Sequence, residues 1–339
     1  MSTPTSDGPK LPPIAEDILE AMADLPSDFQ DFPRIFQDDI RPSLQANEFA
    51  RLKAADRARK ATWVGGAIGV VGVLLSLLAF RVPQLAVLAG IAGAGIVGVG
   101  RSPLSKISKQ AKGMIVEPMA RHLALNFSQL PGSVASIYDH NRVGLVPSWD
   151  RSSYEDLING NRRGIDFEFF EAHLEERRTT TDSKGRTRTR WVTVFQGQCI
   201  RFDFHKRFFG HTLVTRDAGF FNFMGKMTMG GLERARLESP NFEKAFEVYT
   251  NDQVEARFLL TPDFMQRLVD LENVFHGQKL RCAFEGGEMF IAVEGADLFE
   301  PGSMFTPLDN PARTRELLQD FSALFHLCLL YTSPSPRDS

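Results

Sequence analysis

The sequence predicts an α+β chain: N-terminal helices with a two-helix transmembrane hairpin, followed by a cytosolic domain of mixed β-hairpins and helices. Three observations predict it. Trp63–Gly100 is almost continuously apolar and is interrupted only by the short turn "RVPQ". From Tyr154 onward, apolar and polar residues alternate at period two. Helical spacing returns at "TPDFMQRLVDLENVF" and "NPARTRELLQDFSALFHL", without the regular strand–helix alternation of a parallel sheet.

The leader, residues 1–62, is acidic. Residues 1–50 hold ten acids against three bases inside a chain of net charge −3, which argues against an N-terminal nucleic-acid arm. It lacks a basic stretch followed by an apolar core, so no signal peptide is expected. "IAEDILEAMADL" has helical spacing through Ile14, Ile18, Leu19 and Met22. "PSDFQDFPRIF" reads as a loop, and "IRPSLQANEFARLKAADRARK" as a helix running into the first span. Cys199, Cys282 and Cys328 have no paired spacing, which disfavours a disulfide scaffold and a structural zinc site.

The hairpin occupies 63–100. Trp63–Phe80, eighteen residues, reaches about 27 Å as a helix, close to a bilayer core of about 30 Å. Its ten Leu, Ile, Val and Phe residues contribute roughly −3 to −6 kcal/mol to insertion. Leu85–Gly100 carries seven such residues and five glycines, and is expected to insert packed against the first span. Small residues at four-residue spacing suit that contact: Gly65 with Gly69, Ala89 with Gly93, and Ala94 with Gly98. Arg51, Lys53, Arg57, Arg59 and Lys60 precede the spans; Arg101, Lys106, Lys109 and Lys112 follow them, against Arg81 alone in the turn. This asymmetry places both termini in the cytosol. Gly93–Gly98 spells G-x-G-x-x-G, but without the strand–turn–helix context of a dinucleotide loop, so no cofactor is expected.

Residues 101–130 read as a membrane-proximal amphipathic helix, with Leu104, Ile107, Ala111, Met114 and Ile115 on one face, Lys106, Lys109 and Lys112 on the other, and a kink at Pro118. Residues 131–327 are expected to form the cytosolic α+β domain. Within it "GIDFEFFEAHLEERR" and "RTRWVTVFQGQCIRFDFHKRF" flank a hairpin tip, "TTTDSKG". Ile200, Phe202 and Phe204 alternate with Arg201, Asp203 and His205, which predicts one packed and one wet face. "DQVEARFLL" fits either a strand or a helix. Thr261-Pro262 is an N-cap and N1 pair for a helix through Phe264, Leu268, Leu271 and Phe275, with Gly277 near its end. "KLRCAFEGGEMFIAVEG" is a hairpin around Gly286-Gly287. Residues 328–339 break off from a helical pattern, and "CLLYTSPSPRD" reads as the translation of a transposase adapter from sequencing libraries; it is expected to be an artefact, and the native C-terminus to be missing.

Three phrases, "YEDLINGNRRGIDFEFFEAHLEERR", "RWVTVFQGQCIRFDFHKRFFGHTLVTRD" and "LESPNFEKAFEVYTNDQVEARFLLTPDFMQRLVDL", together resemble a bacterial family known as domain of unknown function 3137. The resemblance spans about Tyr154 to Phe299 and includes the upstream pair of spans. It implies a bacterial membrane protein with no assigned activity, so it supplies no catalytic residues.

The candidate sites are few. Asp203, His205 and His211 invite a metal, but their spacing matches no strong signature, and none is expected. Asp166, Glu168, Glu171, Glu175 and Glu176 are carboxylates of the kind a wet strand face carries. No Walker loop, G-x-S-x-G or H-E-x-x-H occurs. The patch that stands out is "RRTTTDSKGRTRTRW": Arg177, Arg178, Lys184, Arg186, Arg188 and Arg190 against Asp182. Period two puts Arg186, Arg188 and Arg190 on one side of a strand, where they suit anionic lipid or an acidic protein. The same residues also describe a solvated tip balanced by Glu175 and Glu176. No aromatic platform interleaves the arginines, which disfavours nucleic acid. The expectation is a membrane-tethered binding or scaffolding module for a protein partner or anionic lipid. An enzyme with scattered site residues and a structural subunit of an inner-membrane assembly are the alternatives, and a homo-oligomer is left open.

Overall fold

The computed structural model describes residues 13–25, 29–78, 82–162, 164–181, 183–203, 209–216, 231–237, 239–274, 279–295 and 303–329. The fold is α+β, and the chain divides into two units: residues 1–118 with 300–319, and residues 119–299 with 320–339.

The first unit is helical. α1 (Glu16–Ala21) has Glu16 and Asp17 in its first turn, where the helix dipole favours acids. Arg41 pairs with Asp17 at 2.7 Å, and Gln37 accepts the Ala15 N–H at 2.7 Å. Of the segment expected as a loop, residues 26–28 lie outside the described residues, and Phe32–Phe36 are helical instead. α2 (Phe32–Ile35) passes through a wide turn, Phe36–Ile40, straight into α3 (Arg41–Leu78). Phe29, Phe32, Phe36 and Ile40 explain it: spaced by three or four, all are fully buried, and burial overrides a Pro- and Asp-rich composition.

α3 and α4 (Pro83–His122) have 38 and 40 residues, about 57 and 60 Å at the helical rise, or twice the thickness of a bilayer core. Each has an apolar half long enough to cross a membrane and a half that packs like a soluble helix. In the apolar halves Trp63, Val70, Leu78, Val87, Leu88 and Ile91 are exposed. In the other halves Leu44, Ala54, Ala55 and Ala58 are buried, as are Leu104, Ile107, Ala111 and Ile115. Lys112, expected on the wet side, is buried as well. α4 runs unbroken past Pro103 and Pro118, so the membrane-proximal helix is its continuation. Gly93–Gly98 lies wholly inside α4, and among the described residues no strand precedes it as a dinucleotide loop would need.

Residues 303–319 belong to this unit through α3. The Arg51 guanidinium donates to the Met304 carbonyl at 2.9 Å and forks onto Glu48 at 2.5 and 2.9 Å. Glu48 also accepts the Leu308 N–H at 3.2 Å, Gln45 donates to Asp309 at 2.9 Å, and Arg59 lies over the Phe305 ring. The Arg51 hydrogen bond holds the Glu48 carboxyl below the usual carboxylate range despite partial burial.

The second unit is built on one antiparallel sheet: β1 (Asn126–Ser128), β2 (Arg151–Arg162), β3 (Ile165–Thr181), β4 (Thr187–Asp203), β5 (Thr212–Thr215), β6 (Glu233–Ala235), β7 (Glu247–Thr250), β8 (Lys279–Glu285) and β9 (Glu288–Glu294). Their order is β1-β2-β3-β4-β9-β8-β5-β7-β6. Gly286 and Gly287 turn β8 into β9 with φ of 65° and 91°, the left-handed pair a two-residue hairpin needs.

Both faces of the sheet are buried at its centre. On one, Phe170, Leu174, Phe195, Cys199 and Phe290 pack with Ile137 and Val143 around α5 (Ile137–Arg142). On the other, Phe167 meets Phe202, and Phe284 meets Phe264 edge-on at 5.6 Å. The wet face expected for β4 is therefore confined to its end, where Arg201 and Asp203 are half-buried; Phe204 and His205 lie outside the described residues. α6 (Pro240–Ala245) is capped by Ser239. "DQVEARFLL" is a helix, α7 (Gln253–Leu259), because the Asp252 carboxylate accepts the N–H groups of Val254 and Glu255, both at 2.9 Å. Thr261 caps α8 (Pro262–Val274), which buries Phe264, Leu268 and Leu271; Phe275 and Gly277 lie outside the described residues. α9 spans Pro311–Leu329, and most of the suspected adapter tail lies beyond the described residues.

Candidate functional site

β3 and β4 are 17 residues each, longer than their neighbours. β2 follows β3 only as far as Arg151 opposite Glu175, and β9 follows β4 only as far as Glu294 opposite Gly197. The rest, to Thr181 opposite Thr187, is a two-stranded ribbon reaching past the sheet. Gly197 stands where the ribbon departs, and a Cβ there would run into the Val293 carbonyl oxygen. A register shift makes Val194 a bulge, which raises the local twist and re-aims the strands of the ribbon.

The ribbon's root is pinned. Arg151 stacks on the Trp191 ring at 4.5 Å and donates to Glu175 at 2.6 Å. That hydrogen bond holds the Glu175 carboxyl below its ordinary range. The Asp150 carboxylate accepts the Arg177 N–H at 2.7 Å. Further out, Thr179 pairs with Thr189 and Thr181 with Thr187 through their hydroxyls.

The six basic residues divide between positions. Arg178 lies directly opposite Arg190, and Thr180 opposite Arg188, so Arg178, Arg188 and Arg190 share a face. Arg177 is opposite Trp191 and belongs to the other face, with the threonine pairs. Lys184 is in the tip turn, and Arg186 just precedes β4. Arg178 is bonded to Glu176 at 2.9 Å. The two balancing acids are thus engaged at the ribbon's base, Glu175 by Arg151 and Glu176 by Arg178; Asp182 lies outside the described residues.

The other singled-out groups do not converge. By strand alternation Asp166 and Glu168 share a face, while Glu171 and Glu175 lie on the opposite one. Asp166 accepts from Asn161 at 2.6 Å, and Glu168 accepts from Ser136. These two carboxylates line a shallow cleft of about 320 Å³ with Asn159, Phe167 and Arg201. Burial acts to lower the Arg201 guanidinium pKa, but its bond to Glu288 and the charges of Glu288 and Glu168 leave it raised. Burial pushes His211 down, beside the Val143 carbonyl. Among the described residues no three His, Cys, Asp or Glu side chains are grouped to hold a metal.

In the hairpin, α3 and α4 meet glycine to glycine. A Cβ on Gly93 would lie 2.5 Å from the Gly65 carbonyl oxygen and 3.0 Å from Gly69 Cα; one on Gly72 would lie 2.6 Å from Ala89 Cβ. Gly100 abuts Ala61. Ala94 lines an outward groove with Gly66 and Gly90, and a Cβ on Gly98 would meet nothing within 4 Å. Gly98 is therefore off the seam, while Gly72, Gly100 and Ala61, which spacing does not single out, are on it. Sequence reasoning also passes over Arg151, whose only signal is its place at the start of a strand.

No curated protein matches the chain. A solved structure, the crystal structure of the mycobacterial trehalose monomycolate transport factor A, TtfA, is similar at 11% identity, covering 62% of this chain and 96% of that one, with a TM-score of 0.31. A likeness of that size carries no argument about function. Residues 193–329 match the model of the family described as "Protein of unknown function (DUF3137)", which supports placing the chain in that domain-of-unknown-function family.

Proposed function

We propose that the protein is a bacterial inner-membrane module: α3 and α4 cross the bilayer, both termini stay in the cytosol, and the sheet unit serves as a tethered binding or scaffolding domain. One observation carries the tether. The apolar halves of both helices contact each other through glycine and turn their large apolar side chains outward, Trp63 at 81% exposure and Ile91 at 64%. Water around that surface would cost about 25 cal/mol per Å², and lipid removes the cost. The lysines and arginines flanking the spans support the orientation. The basic ribbon is the arm of this domain that meets an anionic partner. Alkaline carbonate extraction of bacterial membranes should leave the full-length protein in the pellet. A reporter active only outside the cytoplasm, fused after residue 329, should stay silent. Recovery of a monodisperse protein without detergent would remove the tether, and an active reporter would reverse the topology.

A further inference from the structure

The outer edge of β4 is, among the described residues, open where the ribbon passes the sheet. Among the described residues, no strand pairs with Thr187–Phe195 on the side away from β3. Alternate N–H and C=O groups of an extended strand point to that side, so the edge offers a row of backbone donors and acceptors. Its neighbouring side chains select by charge. Arg188 and Arg190 stand on one face with Arg178, which is directly opposite Arg190; Glu176, bonded to Arg178, shares that face, so among the described ribbon residues three guanidiniums there are set against one carboxylate.

We infer that this edge is a docking site for an extended acidic segment of a partner protein, which adds as a strand beside β4 with its carboxylates opposite Arg188 and Arg190. A second copy is disfavoured, because edge-to-edge pairing of two β4 strands would bring arginines against arginines. A lipid surface would satisfy the arginines but leave the backbone edge unpaired. The described tip residues, Ser183, Lys184 and Gly185, also offer no large apolar side chain to insert. Period two fixes the pattern the partner must carry: acids at alternate positions, with small or β-branched residues between them to lie beside Thr187 and Thr189. The inference rests on the reading of the ribbon as the binding arm and is independent of the tether.

The test uses full-length protein in nanodiscs of neutral phosphatidylcholine and a fluorescent peptide of alternating Thr and Glu. Saturable binding that weakens with salt is expected. N-methylating alternate residues of the peptide in one register should abolish binding, while the other register should leave it intact. Changing Arg186, Arg188 and Arg190 together to Glu should weaken binding about tenfold and create binding to a peptide of alternating Thr and Lys; that gain shows the variant is folded. Equal binding by both N-methylated registers would mean unstructured electrostatics and overturn strand addition. So would indifference to the peptide coupled with an Arg-dependent contact to phosphatidylglycerol nanodiscs. Loss of the tether would appear instead as failure to incorporate into nanodiscs, leaving the peptide result readable.

Discussion

His140 shows how a single residue can hold two elements without any motif to announce it. Its ring is fully buried, edge-on to Phe170 and Phe290, with Nδ1 2.9 Å from the Ser136 carbonyl oxygen and Nε2 3.1 Å from that of Ile200. It therefore joins α5 to β4. A neutral imidazole has one N–H for two carbonyls, and a charged one would satisfy both. Burial decides, holding the pKa below that of an ordinary histidine, although the carbonyls and Asp139 pull the other way. The sign of the linkage is set by that direction. Unfolding lets His140 take up a proton below about pH 6.5, so its stability contribution is present above that pH and is lost as pH falls toward the folded value. The sheet unit should lose on the order of 1 kcal/mol between pH 7 and pH 5. Denaturation monitored at both pH values in wild type and in His140→Gln checks it: the variant should be less stable at pH 7 and show a smaller difference between the two. Nothing in "YDHNR" distinguishes this histidine from an exposed one, because its role comes from strands thirty and more residues away. Cys199 and Cys282 are as deeply placed, and burial raises both thiols, which keeps them protonated and unreactive.

At the scale of elements, the hairpin seam is partly legible in the sequence. Four-residue spacing brings out Gly65 with Gly69 and Ala89 with Gly93; the structure sets Gly93 against Gly65 and Gly69, and Ala89 against Gly72. Gly98 stays off the seam for a geometric reason. A residue one position along the helix is rotated by about 100°, and strict four-residue steps drift by about 40° each. Ala94 and Gly98 start one position from Gly93 and face elsewhere, while Gly100 returns to the contact against Ala61. The phase of a seam depends on the crossing of two helices, and spacing within one sequence does not contain it. The consequence is measurable. Gly65→Val or Gly93→Val should separate the helices and cost about 1–3 kcal/mol, seen as a lower unfolding midpoint in detergent. Gly66→Val and Gly98→Val should have little effect, because a Cβ at either position meets nothing within 4 Å. The ribbon shows the same division. Alternation reveals a hairpin with arginines on one face, but where β2 and β9 stop is not written in β3 or β4, so the ribbon's reach and its open edge are invisible at that level.

For the whole molecule, the chain divides after Pro118 and sends residues 300–319 back to the helical unit. Contiguous patterning has no access to such a return, because its partners lie some 250 residues upstream: Arg51 with Met304, Glu48 with Leu308, Gln45 with Asp309. Arg51 is the centre of that set. The span-flanking pattern counts it only as a positive charge near a membrane, yet its side chain is 5% exposed and its guanidinium is divided between a carboxylate and a carbonyl. Arg51→Ala would leave the Met304 carbonyl without its guanidinium donor and the Glu48 carboxylate with the Leu308 N–H in place of the charged fork, at a cost on the order of 3 kcal/mol. If the two units are separately cooperative, the cost falls on one of them. Hydrogen exchange on the full-length variant should show amides of 304–318 losing protection while those of β4 and β9 keep theirs. Arg51→Lys should recover only part of the loss, since an ammonium lacks the planar fork that reaches Glu48 and Met304 together. Equal deprotection of β4 and β9 would mean that the helical and sheet units unfold as one, and the division after Pro118 would have no thermodynamic meaning.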